Sequence, residues 1–128
     1  LAADVCREGT PPAGLILCAT FNSLTEAGAY HFPWLPVRWV LLDRFESVRW
    51  IREVTCPILQ LHPRDDTVVP LALGQALFEA APAASHNGIE KRFVELRDAD
   101  HNTILENARP EYRRALAEFL HAVLKQSN

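Results

Sequence analysis

The sequence has no methionine, no apolar run of membrane length and no excess of basic charge. Its longest apolar stretches, such as Leu15 to Cys18 and Val40 to Leu42, fall far short of the roughly 20 residues a membrane-crossing helix needs. No membrane span is therefore expected in this segment. Lysine and arginine total 13 against 16 aspartates and glutamates, a net charge of -3. Without a clustered basic face nothing neutralises phosphates, and nucleic acid is not an expected partner. The cysteines Cys6, Cys18 and Cys56 are odd in number and share no metal-ligand spacing. They read as small buried hydrophobes in a reducing, cytoplasm-like compartment and not as a disulfide frame. No G-x-G-x-x-G follows any apolar run, which removes the dinucleotide-binding fingerprint. Internal repeats are absent, and only "APAASHNG", Ala81 to Gly88, has a loop-like composition.

What is present is an ordinary globular composition. The 128 residues are 48% hydrophobic and 23% charged, enough for one core and too few for two. The opening "LAADVCREGTPPAG" lacks the basic start and apolar centre of a signal peptide. Its first nine residues read as the last turns of a helix, closed by Gly9 and stopped by Pro11 and Pro12. A helix already ending at its first residues predicts a chain that is one part of a longer domain.

Three strands are expected. "AGLILCAT", Ala13 to Thr20, is a continuous apolar run of the kind buried on both faces of a parallel sheet. "CPILQLH", Cys56 to His62, has the same character, and Phe93, Val94 and Leu96 give a shorter strand within Glu90 to Asp98. Between the last two strands, Pro70 opens a helix that runs to Ala81, with Leu73, Ala76, Leu77 and Ala80 on one side. The carboxyl-terminal helix is the plainest: Pro110 and Glu111 open it, Tyr112, Leu116, Phe119, Leu120 and Val123 recur at helical spacing, and Lys125 lies in the last turn. Strands alternating with helices predict an α/β fold with three parallel strands and crossover helices. Residues 29 to 54, rich in tryptophan and proline, predict a turn and two short helices, around Pro36 to Leu42 and Glu46 to Val54, forming a crossover or cap-like segment.

Reactive groups of an open parallel sheet gather at the carboxyl ends of its strands. Asp66 in "HPRDDTVVP" follows one strand end and His101 in "LRDADHN" follows the next, so both belong to the same rim. A histidine acting as general base needs a carboxylate on its other ring nitrogen to fix the tautomer and stabilise the imidazolium. Asp66 has a plainer reading too, as a turn former or a cap for the helix near Pro70. His62 and Asp66 are four apart but at a strand end, so they are not placed as metal ligands, and no metal is expected. His31, His86 and His121 read as surface or partly packed. The aromatics Phe32, Trp34, Trp39 and Trp50 read as core packing of the crossover, with Phe32, Trp34 and Leu35 the candidates for lining a substrate pocket.

"TFNSL", "PWLPVRWVLLDRFES", "CPILQLHPRDDTVVP", "GQALFEAAP" and "KRFVELRDADHN", taken in order, resemble the carboxyl-terminal half of an α/β-hydrolase-fold serine hydrolase of the ABHD (alpha/beta hydrolase domain) type. Prolyl-oligopeptidase-like peptidases and dienelactone-hydrolase-like proteins share a looser form of the pattern. The resemblance implies a partial α/β-hydrolase fold lacking the upstream part of its sheet. It implies Asp66 as the acid within H-G-x-x-D-x-x-V-P and His101 as the base within G-x-G-H. Pro63 stands in place of the first motif's glycine, and Asp98 and Asp100 in place of the glycines before the histidine. Flanking carboxylates at Asp98 and Asp100 are expected to favour the imidazolium. The family's nucleophile sits in a G-x-S-x-G elbow, and none of Ser23, Ser47, Ser85 or Ser127 has that context.

The implied parent hydrolyses ester, thioester or amide bonds of a small-molecule or acyl substrate through an acyl-enzyme, with no cofactor. By the same reading this chain by itself is inactive and needs an upstream half, which could carry a membrane anchor. The rival readings are a non-catalytic α/β binding module or degenerate hydrolase, and a prolyl-oligopeptidase-like peptidase fragment.

Overall fold

A computed structural model describes residues 6, 11–21, 23–34, 36 and 47–126. In chain order its elements are β1 (Leu15–Cys18), α1 (Leu24–His31), α2 (Ser47–Ile51), β2 (Ile58–Pro63), α3 (Leu71–Ala80), β3 (Arg92–Leu96), α4 (Ile104–Asn107) and α5 (Arg109–Gln126). The strands form one parallel sheet in the order β1-β2-β3. Leu15 stands opposite Ile58 and Cys18 opposite Leu61, while Leu59 stands opposite Arg92 and Pro63 opposite Leu96. This is the expected α/β arrangement, with β1 shorter than its apolar run at both ends and β2 starting two residues later and ending one residue later than expected.

β2 is buried along its whole length because it lies between two neighbours and beneath helices on both faces. On one face, Leu59, Leu61 and Leu96 pack with Ala115, Phe119 and Val123 of α5. On the other, Ile58 packs with Ile51, Val54, Leu77 and Ala81, from α2, α3 and the turns that follow them. Burying a Phe119-sized ring in such a core is worth about 3–5 kcal/mol relative to alanine.

β1 differs from the strand buried on both faces that its apolar composition predicts. Its residues alternate in burial, with Ile16 39% exposed and Cys18 exposed. The physical reason is its position: among the described residues β1 is at the edge of the sheet, and α5 packs on β2 and β3. Leu15 and Leu17 still pack beneath the α3 face. Of the cysteines read as buried hydrophobes, Cys56 is buried, Cys6 is half-buried and Cys18 is not buried.

The expected helix at Pro70 to Ala81 is α3, and the expected carboxyl-terminal helix is α5, preceded by the extra turn α4. α2 lies within the helix expected around Glu46 to Val54, whereas the one expected at Pro36 to Leu42 lies outside the described residues, as does most of the amino-terminal helix. α1 has no counterpart among the expected elements. The aromatics read as core packing are surface groups: Phe32 is 51%, Trp34 78% and Trp50 44% exposed, and Trp39 lies outside the described residues. No helix among the described residues is long and apolar enough to cross a membrane.

Candidate active site

The loops leaving the carboxyl ends of β2 and β3 carry Asp66 and His101 to one rim of the sheet. His101 Nδ1 lies 2.9 Å from Asp66 Oδ2, the histidine side chain 30% exposed and the carboxylate fully buried. The second carboxylate oxygen, Oδ1, accepts the backbone N–H groups of Val68 and Val69 at 2.9 and 2.7 Å. Asp66 is thus both the turn former of its plainer reading and the partner of His101. An ionised carboxylate only accepts, so Nδ1 is the donor of this contact, and in the neutral ring Nε2 is then the lone-pair nitrogen.

Several neighbours hold the acid loop. His62, fully buried, points Nε2 at the Val69 carbonyl 2.8 Å away. That carbonyl only accepts, which places the His62 proton on Nε2. The same nitrogen is 3.8 Å from Asp66 Oδ2. His31, at the end of α1, places its Nε2 2.6 Å from the Val68 carbonyl and ties that helix to the acid loop.

Asp100 lies between the two loops. Its Oδ1 accepts the Thr67 N–H at 2.7 Å and the His101 N–H at 2.8 Å, and its Oδ2 accepts the Thr67 hydroxyl at 2.7 Å. These bonds, the Thr67 N–H first, hold the Asp100 carboxyl below its ordinary value. Asp98 has φ +56°, a left-handed backbone that aspartate tolerates better than most residues. It keeps the conformation that a glycine at this place would supply.

A cavity of about 470 Å³ opens beside His101, lined by Cys18, His101, Asn102, Ile104, Leu105, Glu106 and Tyr112. Phe32 and Trp34, the pocket candidates, are not among its walls; they stack edge to face with ring centroids 6.3 Å apart on the exposed segment after α1. Leu35, the third candidate, lies outside the described residues. The Cys18 thiol at the cavity is pushed up by the partial desolvation its neighbours impose and by the Asp66 charge. Among the described residues no group of three His, Cys, Asp or Glu side chains is placed to hold a metal.

No protein-family model matches the chain. It is 34% identical over 139 residues to lysophosphatidylserine lipase ABHD12 of Danio rerio, an alignment that takes in 95% of this chain and 36% of that protein. An uncharacterised protein of Mycobacterium tuberculosis is 40% identical over 92 residues, 72% of this chain and 31% of its own. An esterase of Pyrococcus furiosus superposes with TM-score 0.63 at 17% identity, covering 94% of this chain and 48% of the esterase. The chain is a homologue of the ABHD12 lipase over most of its own length and has the α/β-hydrolase fold. A putative non-heme bromoperoxidase of Mycobacterium tuberculosis shares the same hydrolase fold, with TM-score 0.62 at 18% identity over 95% of this chain and 63% of that one. The chain spans about a third of the length of the curated relatives it matches, and its three-stranded sheet is a partial α/β-hydrolase fold.

Two features of the site had no reading in the sequence. The Thr67–Asp100 bridge joins loops 33 residues apart, and no local pattern marks such a pairing. The His31 tether depends on α1, for which a start signal was present: Ser23 is followed three residues on by Glu26, the S-x-x-E of a helix amino terminus.

Proposed function

We propose that this chain carries the acid and the base of a serine hydrolase, Asp66 and His101, acting on acyl substrates through an acyl-enzyme. The observation that carries the reading is the 2.9 Å contact of His101 Nδ1 with a fully buried carboxylate oxygen. Asp66 holds the imidazole in the tautomer with Nε2 free and offsets the charge that develops when the ring takes a proton. Nε2 then removes the proton from a serine hydroxyl as it attacks the acyl carbon, and returns it to the leaving group; water releases the acyl group by the reverse assistance. No serine of these 128 residues stands in a G-x-S-x-G turn, so the nucleophile is assigned to other chain of the full-length protein, and this part alone to an inactive state.

Ester, thioester and amide bonds all suit this chemistry. The relatives' name, lysophosphatidylserine lipase, makes a lysophospholipid acyl ester the first substrate to try. Phe32, Trp34 and Leu35 are proposed as apolar substrate contacts. In support, Phe32 and Trp34 directly follow α1, whose last residue is hydrogen-bonded to the acid loop.

The test is labelling of the full-length protein with a fluorophosphonate and mapping of the adduct. A labelled serine in a G-x-S-x-G turn outside these residues, with labelling abolished by His101→Ala, is the expected result. An adduct on Ser23, Ser47 or Ser85, or labelling untouched by His101→Ala, would refute it.

A further inference from the structure

Thr67 follows Asp66 in the chain and Asp100 precedes His101, so the contact between Thr67 and Asp100 closes a ring with the contact between Asp66 and His101. We propose that Asp100 is a positioning residue, clasping Thr67 so that the His101 ring is held at a fixed angle to Asp66; the inference rests on the triad reading above.

The clasp has two parallel arms. Oδ1 takes the Thr67 backbone N–H and Oδ2 the Thr67 hydroxyl, both at 2.7 Å. Two bonds from one residue to the two oxygens of one carboxylate remove the twist that a single bond would leave, as in other two-point recognition of carboxylates. Asp100 is itself anchored on the histidine side. Its N–H donates to Thr103 Oγ1 at 2.9 Å, its carbonyl accepts the Thr103 N–H at 3.0 Å, and its carboxylate accepts the His101 N–H. The start of α4 is thereby coupled through Asp100 to Thr67 and the acid loop. Neither Asp100 nor Thr67 is itself a wall of the cavity beside His101.

That separation sets the expected signature. Loosening the clasp leaves substrate contacts intact and misplaces the base, a kind of error that costs up to roughly a hundredfold in turnover. In the full-length enzyme assayed with a p-nitrophenyl ester, Asp100→Ala is expected to lower kcat by roughly ten- to a hundredfold with KM little changed. Its His101 Nδ1–H proton resonance should shift or broaden by comparison with the parent, in protein whose circular dichroism is unchanged. Asp100→Asn, which keeps an oxygen for both N–H donors, should recover most of the loss. Thr67→Val removes only the hydroxyl arm and should be weaker than Asp100→Ala; the double variant should be no worse than Asp100→Ala, because both act through one contact. Where Asp100→Ala does not fold, Thr67→Val and Asp100→Asn carry the comparison.

Parental kcat together with an unshifted Nδ1–H resonance in Asp100→Ala would overturn the clasp, as would strictly additive losses in the double variant. An Asp66→Asn enzyme with full activity would instead overturn the triad reading, and the Nδ1–H resonance, which needs no turnover, would still decide the clasp.

Discussion

Gly74 of α3 lies directly against the imidazole of His62: a Cβ at that position would overlap the ring, 2.7 Å from Cε1 and closer still to Nδ1. The absent side chain lets α3 settle onto the buried Gln60 and His62 of β2, and Gln60 Nε2 donates to the Gly74 carbonyl at 2.8 Å. The same His62 holds the Val69 carbonyl through Nε2, so this helix-to-strand packing supports the acid loop.

Gly74→Ala should therefore destabilise the protein by about 1–3 kcal/mol, the usual cost of overpacking a core, in spite of alanine's better helix propensity. Urea unfolding of the full-length protein reads it as a lower midpoint. A midpoint equal to or above the parent's would show that α3 can lift off His62 without cost.

Lys91 closes the other end of α3. Its Nζ donates to the carbonyls of Phe78 and Ala81 at 2.6 and 2.8 Å and lies 4.6 Å from the centre of the Phe78 ring. Lys91→Met keeps the aliphatic stem and removes the cation, and should cost about 1 kcal/mol. The check is again the urea midpoint, expected to fall with an unchanged slope; an unmoved midpoint would mean that water serves those carbonyls equally well.

Much of the fold was legible because the strands are apolar runs bounded by proline and polar residues, and because α5 repeats its apolar residues at helical spacing. Burial was less legible than identity. Ile16 and Cys18 have the same apolar character as Leu59 and Leu61, yet only the latter lie between two strands and under α5. α1 escaped because "LTEAGAYH" has glycine inside and little apolar periodicity, leaving the Ser23 start signal without support. Ser23 does act there, its Oγ accepting the Thr25 N–H at 3.1 Å. At the site, Asp66 and His101 could be paired because strand ends of a parallel sheet share a rim. Asp100 could be singled out as a departure from glycine, but not as a bridge, since its partner Thr67 belongs to a different loop.

The central claim is that the Asp66 charge serves His101. The most direct measurement is the turnover number of Asp66→Asn in the full-length enzyme on an acyl ester, with folding verified by its unfolding midpoint. An asparagine keeps the size of the side chain but can present its N–H₂ to Nδ1 and so favour the wrong tautomer. The predicted result is a loss on the order of 10⁴ in kcat; turnover equal to the parent's, in folded protein, would contradict the assignment.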